Sequence, residues 1–284
     1  MAIKIIIDSA SDITRAQAAE MGITVIPLTI NFGANEYRDG IDLTSEEFYK
    51  KLDEEKEFPK TSQIPPFVFE ETLERVLEND DQAIVITLSS KLSGTYRAAE
   101  QAAQKFGERV LVFDSMSAAA GERILCQYAL KLVDEGCSAL EVCDKLVAVR
   151  ERVAVFGVLD TLEFLKKGGR ISSTVAFVGG LLNLKPVAQL VDGVVKMVGK
   201  ARGRKKAIAL MNQLVLEIGG IDFSMPYGVL WTGGSDESAK KYVEDSVSVF
   251  GDDKEVPAHI LGSTIGTHVG PGVVGLAFFK KINE

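Results

Sequence analysis

The chain runs to 284 residues, 46% hydrophobic and 25% charged. That is ordinary globular composition, with room for one large domain or two modest ones. Its 32 Lys and Arg against 40 Asp and Glu leave a net charge of −8, which argues against general nucleic-acid or membrane binding and means that an anion site must gather positive charge locally.

Residues 3–7 form a continuous apolar run that stops at Asp8-Ser9, the pattern of a buried parallel strand. No basic region leading into a long apolar one precedes it, so no signal peptide is expected and the cytoplasm is the expected compartment. Asp12 is positioned to cap a helix that ends at Gly22. Residues 25–30 read as the next strand, Tyr37-Arg38-Asp39-Gly40 as a turn and Ser45 as the opening of a second helix. A helix over 67–78, a strand over 83–88, a helix over 94–106, a strand over 110–113 and helices near 118–135 and 139–151 follow. Strands alternating with helices predict a mainly parallel sheet with helices on both faces.

The second half is more mixed. Residues 153–158 read as a strand and 162–167 as a short helix stopped by Gly168-Gly169. Strand patterns at 188–191 and 194–198 flank Asp192-Gly193, a hairpin signal that the first half lacks. A helix over 204–218, a strand over 229–232, a helix near 236–249 and strands over 258–261 and 273–279 complete the pattern. The apolar stretch 175–184 is interrupted by Gly179, Gly180 and Asn183 and is too short to span a bilayer. The expectation is an α/β chain of two docked domains: residues 1–155 around a mainly parallel sheet, residues 156–284 around a mixed one. Cys126, Cys137 and Cys143 form no C-x-x-C and lie in Leu-, Ala- and Val-rich segments, so reduced, buried thiols are expected.

Two polar signatures stand out. Thr61-Ser62-Gln63 is framed by Pro59 and Pro65-Pro66, and Ser93-Gly94-Thr95-Tyr96 follows the 83–88 strand. Each reads as a loop that opens a helix, bringing hydroxyls and free backbone N–H groups to where an anion would sit. Helix capping is the alternative role for both. Lys166-Lys167-Gly168-Gly169-Arg170 either ends a helix or presents Arg170 to a carboxylate or phosphate. His268 reads as part of a glycine-rich loop, with no partner spaced for a metal site; it either orders that loop or donates to a bound acid. The basic run 200–206 is a solvated helix start or a docking patch. Asp8-Ser9 and Asp114-Ser115 read as turn and cap residues, without further carboxylates beside them. Neither a P-loop, a dinucleotide fingerprint nor a G-x-S-x-G elbow is present. The set suits a protein that holds an acid more than one that transforms it.

Together Thr61-Ser62-Gln63, Leu92-Ser93-Gly94-Thr95-Tyr96, the segment 162–171, Leu184-Lys185-Pro186, the run 200–206 and His268 with Gly270-Pro271 resemble the DegV family of bacterial fatty-acid-binding proteins. One departure is Ile64, which stands between Gln63 and Pro65 where the family often has Pro directly after Gln. The resemblance implies two α/β domains with one long-chain fatty acid in a tunnel between them, and neither cofactor, metal nor catalytic site in the chain itself. It implies that Thr61, Ser62 and Ser93 bond the carboxylate, with Arg170 and His268 close by. It further implies a partner, the catalytic subunit of an ATP-dependent fatty acid kinase, which forms an acyl phosphate for phospholipid synthesis and faces Arg202. Nucleic acid is not implied; transient membrane-surface contact is compatible. Candidate tunnel residues are Ile26, Leu28, Ile30, Phe164, Phe177, Val178, Leu181, Leu182 and Phe278. Two other readings remain open: a serine-dependent acyl hydrolase or phosphoryl transferase using Ser93 and His268, and an interaction protein docking through 200–206.

Overall fold

A computed structural model describes residues 2–282 except 56, 79, 172–182 and 252–254. The first half is built on a four-stranded sheet of β1 (Ile3–Asp8), β2 (Thr24–Ile26), β6 (Gln82–Thr87) and β7 (Val110–Asp114), in the order β2-β1-β6-β7 and parallel throughout. Side chains of β1 alternate between its two faces. Ile6 packs with α3 (Pro66–Val76) and α4 (Thr95–Ala103), whereas Ile5 and Ile7 pack with α1 (Arg15–Met21), α5 (Ala120–Asp134) and α6 (Ala139–Arg150). Helices therefore cover both faces, as the strand–helix alternation predicts.

The expected strand over 25–30 is two strands in different sheets. Pro27 has no N–H to continue a ladder, and the N–H of Leu28 donates instead to Ser9 Oγ at 3.0 Å. Beyond it β3 (Thr29–Phe32) joins a separate antiparallel sheet with β4 (Asn35–Arg38) and β5 (Lys60–Ser62). Asp12 is not a helix cap: it closes a short 3-10 turn over Ser9–Ser11 at φ 57°, and Thr14 caps α1 through a capping box with Gln17. A second capping box, Thr44 with Glu47, opens α2 (Ser45–Glu54).

The second half is a six-stranded sheet in the order β10-β9-β8-β13-β11-β12, comprising β8 (Val153–Val158), β9 (Leu184–Val191), β10 (Val194–Arg202), β11 (Gly228–Trp231), β12 (Ala258–Ile260) and β13 (Val274–Phe279). Only β11 and β12 pair in parallel. Between β8 and β9 lies α7 (Glu163–Lys167). Asp192 and Gly193 both take positive φ, 51° and 76°, as a tight β9–β10 hairpin requires. One face of the sheet carries Ala154, Phe156 and Val158 against α8 (Arg204–Glu217), α9 (Glu237–Asp245) and α10 (Val247–Phe250). The other face carries Val155, Ala188 and Ala277 toward α5 of the first half. Strand β8 belongs wholly to this sheet, so a division between 155 and 156 would cut through a strand.

The segment around His268, expected to be a glycine-rich loop, is a helix, α11 (Ser263–Val269). Carboxylates from the first half grip its start. Asp12 Oδ1 accepts from the N–H of Gly262 at 2.7 Å, and Asp39 Oδ2 accepts from Thr264 Oγ1 at 2.5 Å and from Ser9 Oγ at 2.9 Å. Tyr49 donates to the carbonyl of Leu261 at 2.9 Å. Gly266 allows the close approach of α2, because a Cβ there would meet Phe48 Cε1 at 2.6 Å. Asp8, Asp12, Asp39 and Glu122 are all buried, which corrects the expectation that Asp8 stands without neighbouring carboxylates. Burial pushes all four up, Asp8 to about 7, and the nearby carboxylates add to the effect on Asp8, Asp12 and Glu122. No group of three or more His, Cys, Asp or Glu able to hold a metal occurs among the described residues.

Ser9 Oγ both donates to Asp39 and accepts from Leu28. Ser9→Ala should therefore cost about 2–3 kcal/mol of unfolding free energy, seen as a lower urea midpoint at unchanged slope. A midpoint equal to that of the parent would show that the grip is energetically idle.

Candidate functional site

A cavity of about 440 Å³ lies where the first half meets the open face of the six-stranded sheet. Its walls are largely apolar, with Leu88 and Leu159 among residues from the strand ends, Leu190 and Leu230 from the second sheet, and Ile265 and Val269 from α11. Thr61, Gln63, Ser93, Arg170 and His268 also line it. Four segments distant in sequence, around residues 61–63, 93, 170 and 268, thus supply these polar groups.

Thr61 sits on β5, not in a loop that opens a helix; α3 starts later, with Pro65 at its N-cap and no side-chain cap. Thr61 Oγ1 lies 2.9 Å from His268 Nε2. The other ring nitrogen, Nδ1, is buried without a hydrogen-bond partner among the described residues, and a Cβ on Gly168 would fall 2.2 Å from it. A proton on Nδ1 would be an orphaned buried donor, so the neutral ring carries its proton on Nε2 and gives it to Thr61. Thr61 then accepts from the imidazole, and its own O–H proton is free for an oxyanion. Burial, assisted by the nearby Arg170 charge, pushes His268 down to about 4, so the ring is neutral at ordinary pH.

Ser93 Oγ lies 2.9 Å from Thr95 Oγ1 at the start of α4 and accepts from the N–H of Thr95 at 3.3 Å. Arg170 is half-buried and spans the two halves: Nε donates to the carbonyl of Leu92 at 3.2 Å and Nη1 to that of Gly168 at 2.7 Å. Ser62, next to Thr61 on β5, is exposed and donates to Asn31 at 3.2 Å. Successive strand residues point to opposite faces, so Ser62 Oγ is directed away from the Thr61–His268 pair although the residue borders the cavity. Arg202 is exposed at the end of β10 and does not line the cavity.

Among the described tunnel candidates only Leu28 lines the cavity. Ile26 packs beneath the parallel sheet, Ile30 among Phe32, Phe48 and Tyr49, and Phe278 on the far face of the six-stranded sheet. Phe164 packs against Phe58 with ring centroids 5.2 Å apart. Phe177, Val178, Leu181 and Leu182 lie outside the described residues. Sequence reasoning missed Gln63 as a lining residue and the whole of α11; the apolar spacing of Ile265 and Val269, four apart on one helix face, was the available signal.

The depressed pKa of His268 has a definite sign. The unfolded chain takes up the proton near 6.5 and the folded chain near 4, so this residue removes stability as pH falls from about 6.5 to 4. Asp8, raised by burial, acts oppositely below about 7, so the His268 contribution is read by difference. A proton NMR titration should place the His268 ring midpoint near 4, and His268→Gln should lessen the stability lost between pH 6.5 and 4; a midpoint at 6.5 would contradict the buried neutral ring.

Comparison with known proteins agrees with the geometry. The family model described as "Uncharacterised protein, DegV family" matches residues 2–281. A DegV domain-containing protein of Caldanaerobacter subterraneus subsp. tengcongensis is 36% identical over 284 residues, covering 98% of this chain and 99% of its own. A Thermus thermophilus structure, described as fatty acid binding of a DegV family protein, is 35% identical with a TM-score of 0.88, covering 99% of this chain and 100% of that one. DegV from Bacillus subtilis, described as a fatty acid binding protein, is 29% identical with a TM-score of 0.82 and covers the same shares. Their two-domain α/β fold is shared by this chain, and the chain belongs to the DegV family.

Proposed function

We propose that this protein binds one long-chain fatty acid, its tail in the apolar cavity and its carboxylate at the Thr61, Ser93, Arg170 and His268 end. The observation that carries this reading is a closed series of contacts: an apolar cavity of about 440 Å³ whose lining includes a threonine hydroxyl oriented by a neutral histidine. The fatty-acid-binding descriptions of the Thermus thermophilus and Bacillus subtilis proteins support it. Burying roughly fifteen methylenes at ~0.8 kcal/mol each gives about 12 kcal/mol gross, of which association and tail ordering remove several. The tail thus supplies affinity. A carboxylate leaving water needs several donors at once; Thr61, Ser93 and the Arg170 guanidinium supply them, and Ser62, bonded to Asn31, is left out of the set.

The finer part of the proposal concerns a partner. The chain presents the carboxylate to an ATP-dependent fatty acid kinase subunit and does no chemistry alone. Support comes from the exposure of Lys200, Arg202, Lys205 and Lys206 beside one another at the β10–α8 junction, a cationic patch on a chain of net charge −8. The N- and C-terminal lobes divide at the start of β8 in this reading, and the site lies between them. A hydrolase reading gains no support, since His268 bonds Thr61 and Ser93 bonds Thr95.

Three measurements test the proposal. Organic extraction of purified protein, followed by mass spectrometry, should yield about one long-chain acid per chain; a clean extract with no uptake of added oleate would refute the ligand. Thr61→Val and Ser93→Ala should each weaken oleate binding on the order of tenfold, the worth of one hydrogen bond to a charged group. Separately, Arg202→Glu should leave oleate affinity unchanged while slowing phosphorylation of the bound acid by the kinase; equal loss of acid binding in that variant would contradict a docking role.

A further inference from the structure

Strand β8 contains one residue whose identity packing does not explain. Gly157 lies inside the strand, paired on both sides and with ordinary backbone angles, where a glycine only weakens a sheet. A Cβ there would meet nothing closer than Val273 Cγ1 at 3.7 Å and the carbonyl of Val274 at 4.0 Å, which is ordinary contact. Two other glycines show what necessity looks like. A Cβ on Gly275 would strike the carbonyl of Phe156 at 2.4 Å, and one on Gly121 would strike Ser117 Oγ at 2.1 Å. The fold needs those two and does not need Gly157.

The direction of the missing side chain supplies the explanation. Phe156 and Val158 point into the core beneath α8, so Gly157 points the other way, with Val155, into the cavity. Register places Gly157 opposite Ala188 on β9 and opposite Gly275 on β13, and both of these also line the cavity. The floor is therefore lowest at the Gly157–Gly275 pair, bordered by Ala188 on β9 and by Leu230, opposite Gly275 on β11, and of the two glycines only Gly157 has room for a side chain. A glycine inside a strand marks a place where something else comes close, and what comes close here is the occupant of the cavity.

We propose that Gly157 is the residue that sets how long an acyl tail the cavity accepts. This rests on the fatty-acid reading above and adds a determinant to it. The interior is close-packed, so each carbon added at 157 displaces roughly one carbon of tail. Each methylene excluded costs roughly a fourfold loss of affinity. The carboxylate end is untouched, because residue 157 bonds none of Thr61, Ser93, Arg170 or His268.

The test compares the parent protein with Gly157→Val, made in the same bacterial host. Bound acids are extracted and identified by mass spectrometry, and a graded series of saturated, unbranched acids competes for the purified proteins. The expected result is about one acid per chain in both, with the preferred length in Gly157→Val shorter by roughly three carbons, one for each carbon that valine adds. An unchanged length profile overturns the inference while leaving the ligand reading intact, and so does equal loss of all lengths in a variant that melts like the parent. Absence of acid from the parent protein, with no uptake of any member of the series, sinks the ligand reading itself. Should Gly157→Val not fold, Gly157→Ala decides: a shift of about one carbon supports the inference and none overturns it.

Discussion

The site depends on a grip between carboxylates of one half of the chain and the start of one helix in the other. Asp12 and Asp39 emerge at the C-terminal edge of the parallel sheet and beside the small antiparallel sheet, and they take the N–H of Gly262 and the hydroxyl of Thr264. That anchors α11, and α11 carries Ile265, His268 and Val269 to the cavity. An isolated seven-residue helix containing Gly266, Thr264, Thr267 and Val269 has poor intrinsic propensity and would not persist in water. It exists because buried carboxylates and the Tyr49 hydroxyl hold its approach and Gly266 lets it lie against α2.

From that anchor the polar end assembles in order. The backbone of α11 fixes His268, its Nδ1 is buried without a partner among the described residues, and the ring therefore donates its Nε2–H to Thr61. Thr61 in turn offers a hydroxyl proton outward. Arg170 ties the C-terminal half to the Leu92 carbonyl, one residue before Ser93. The result is a cluster of one guanidinium and neutral donors among the described residues, inside a chain that is acidic overall. A neutral histidine suits it, since an imidazolium beside Arg170 would meet like charge in a poorly solvated place. The buried acids below, raised by desolvation, sit on the far side of Ser9 and Thr264 and serve the scaffold.

The apolar part follows a different logic. It arises where the open face of the six-stranded sheet meets the strand ends and the approach to α5 in the first half. The six-stranded sheet spends its bulky residues, Phe156, Leu276 and Phe278, on the α8–α10 side. It shows smaller ones, Gly157, Ala188, Gly275 and Ala277, to the first half. The space between is too wide to close and too apolar to fill well with water.

Much of this was legible in the residues. The alternation of strands and helices, the Asp192-Gly193 hairpin, and the presence of hydroxyls, Arg170 and His268 in a characteristic order are local signals, and local signals survive in a linear chain. What failed to show was whatever depends on contact between distant segments. Pro27 divides one apolar run between two sheets because Ser9 is there to take the Leu28 N–H. Ser62 turns to Asn31 because Thr61 must face inward on the same short strand. Ile30 and Phe278 look as suitable for a tunnel as Leu28 does, and only the pairing of strands decides which face each occupies. The amino acids alone determined an α/β chain with hydroxyls, Arg170 and His268 in a set order; tertiary structure decided which hydroxyl bears a proton toward the cavity and which wall stays empty, because hydrogen-bond partnership and burial are properties of neighbours in space.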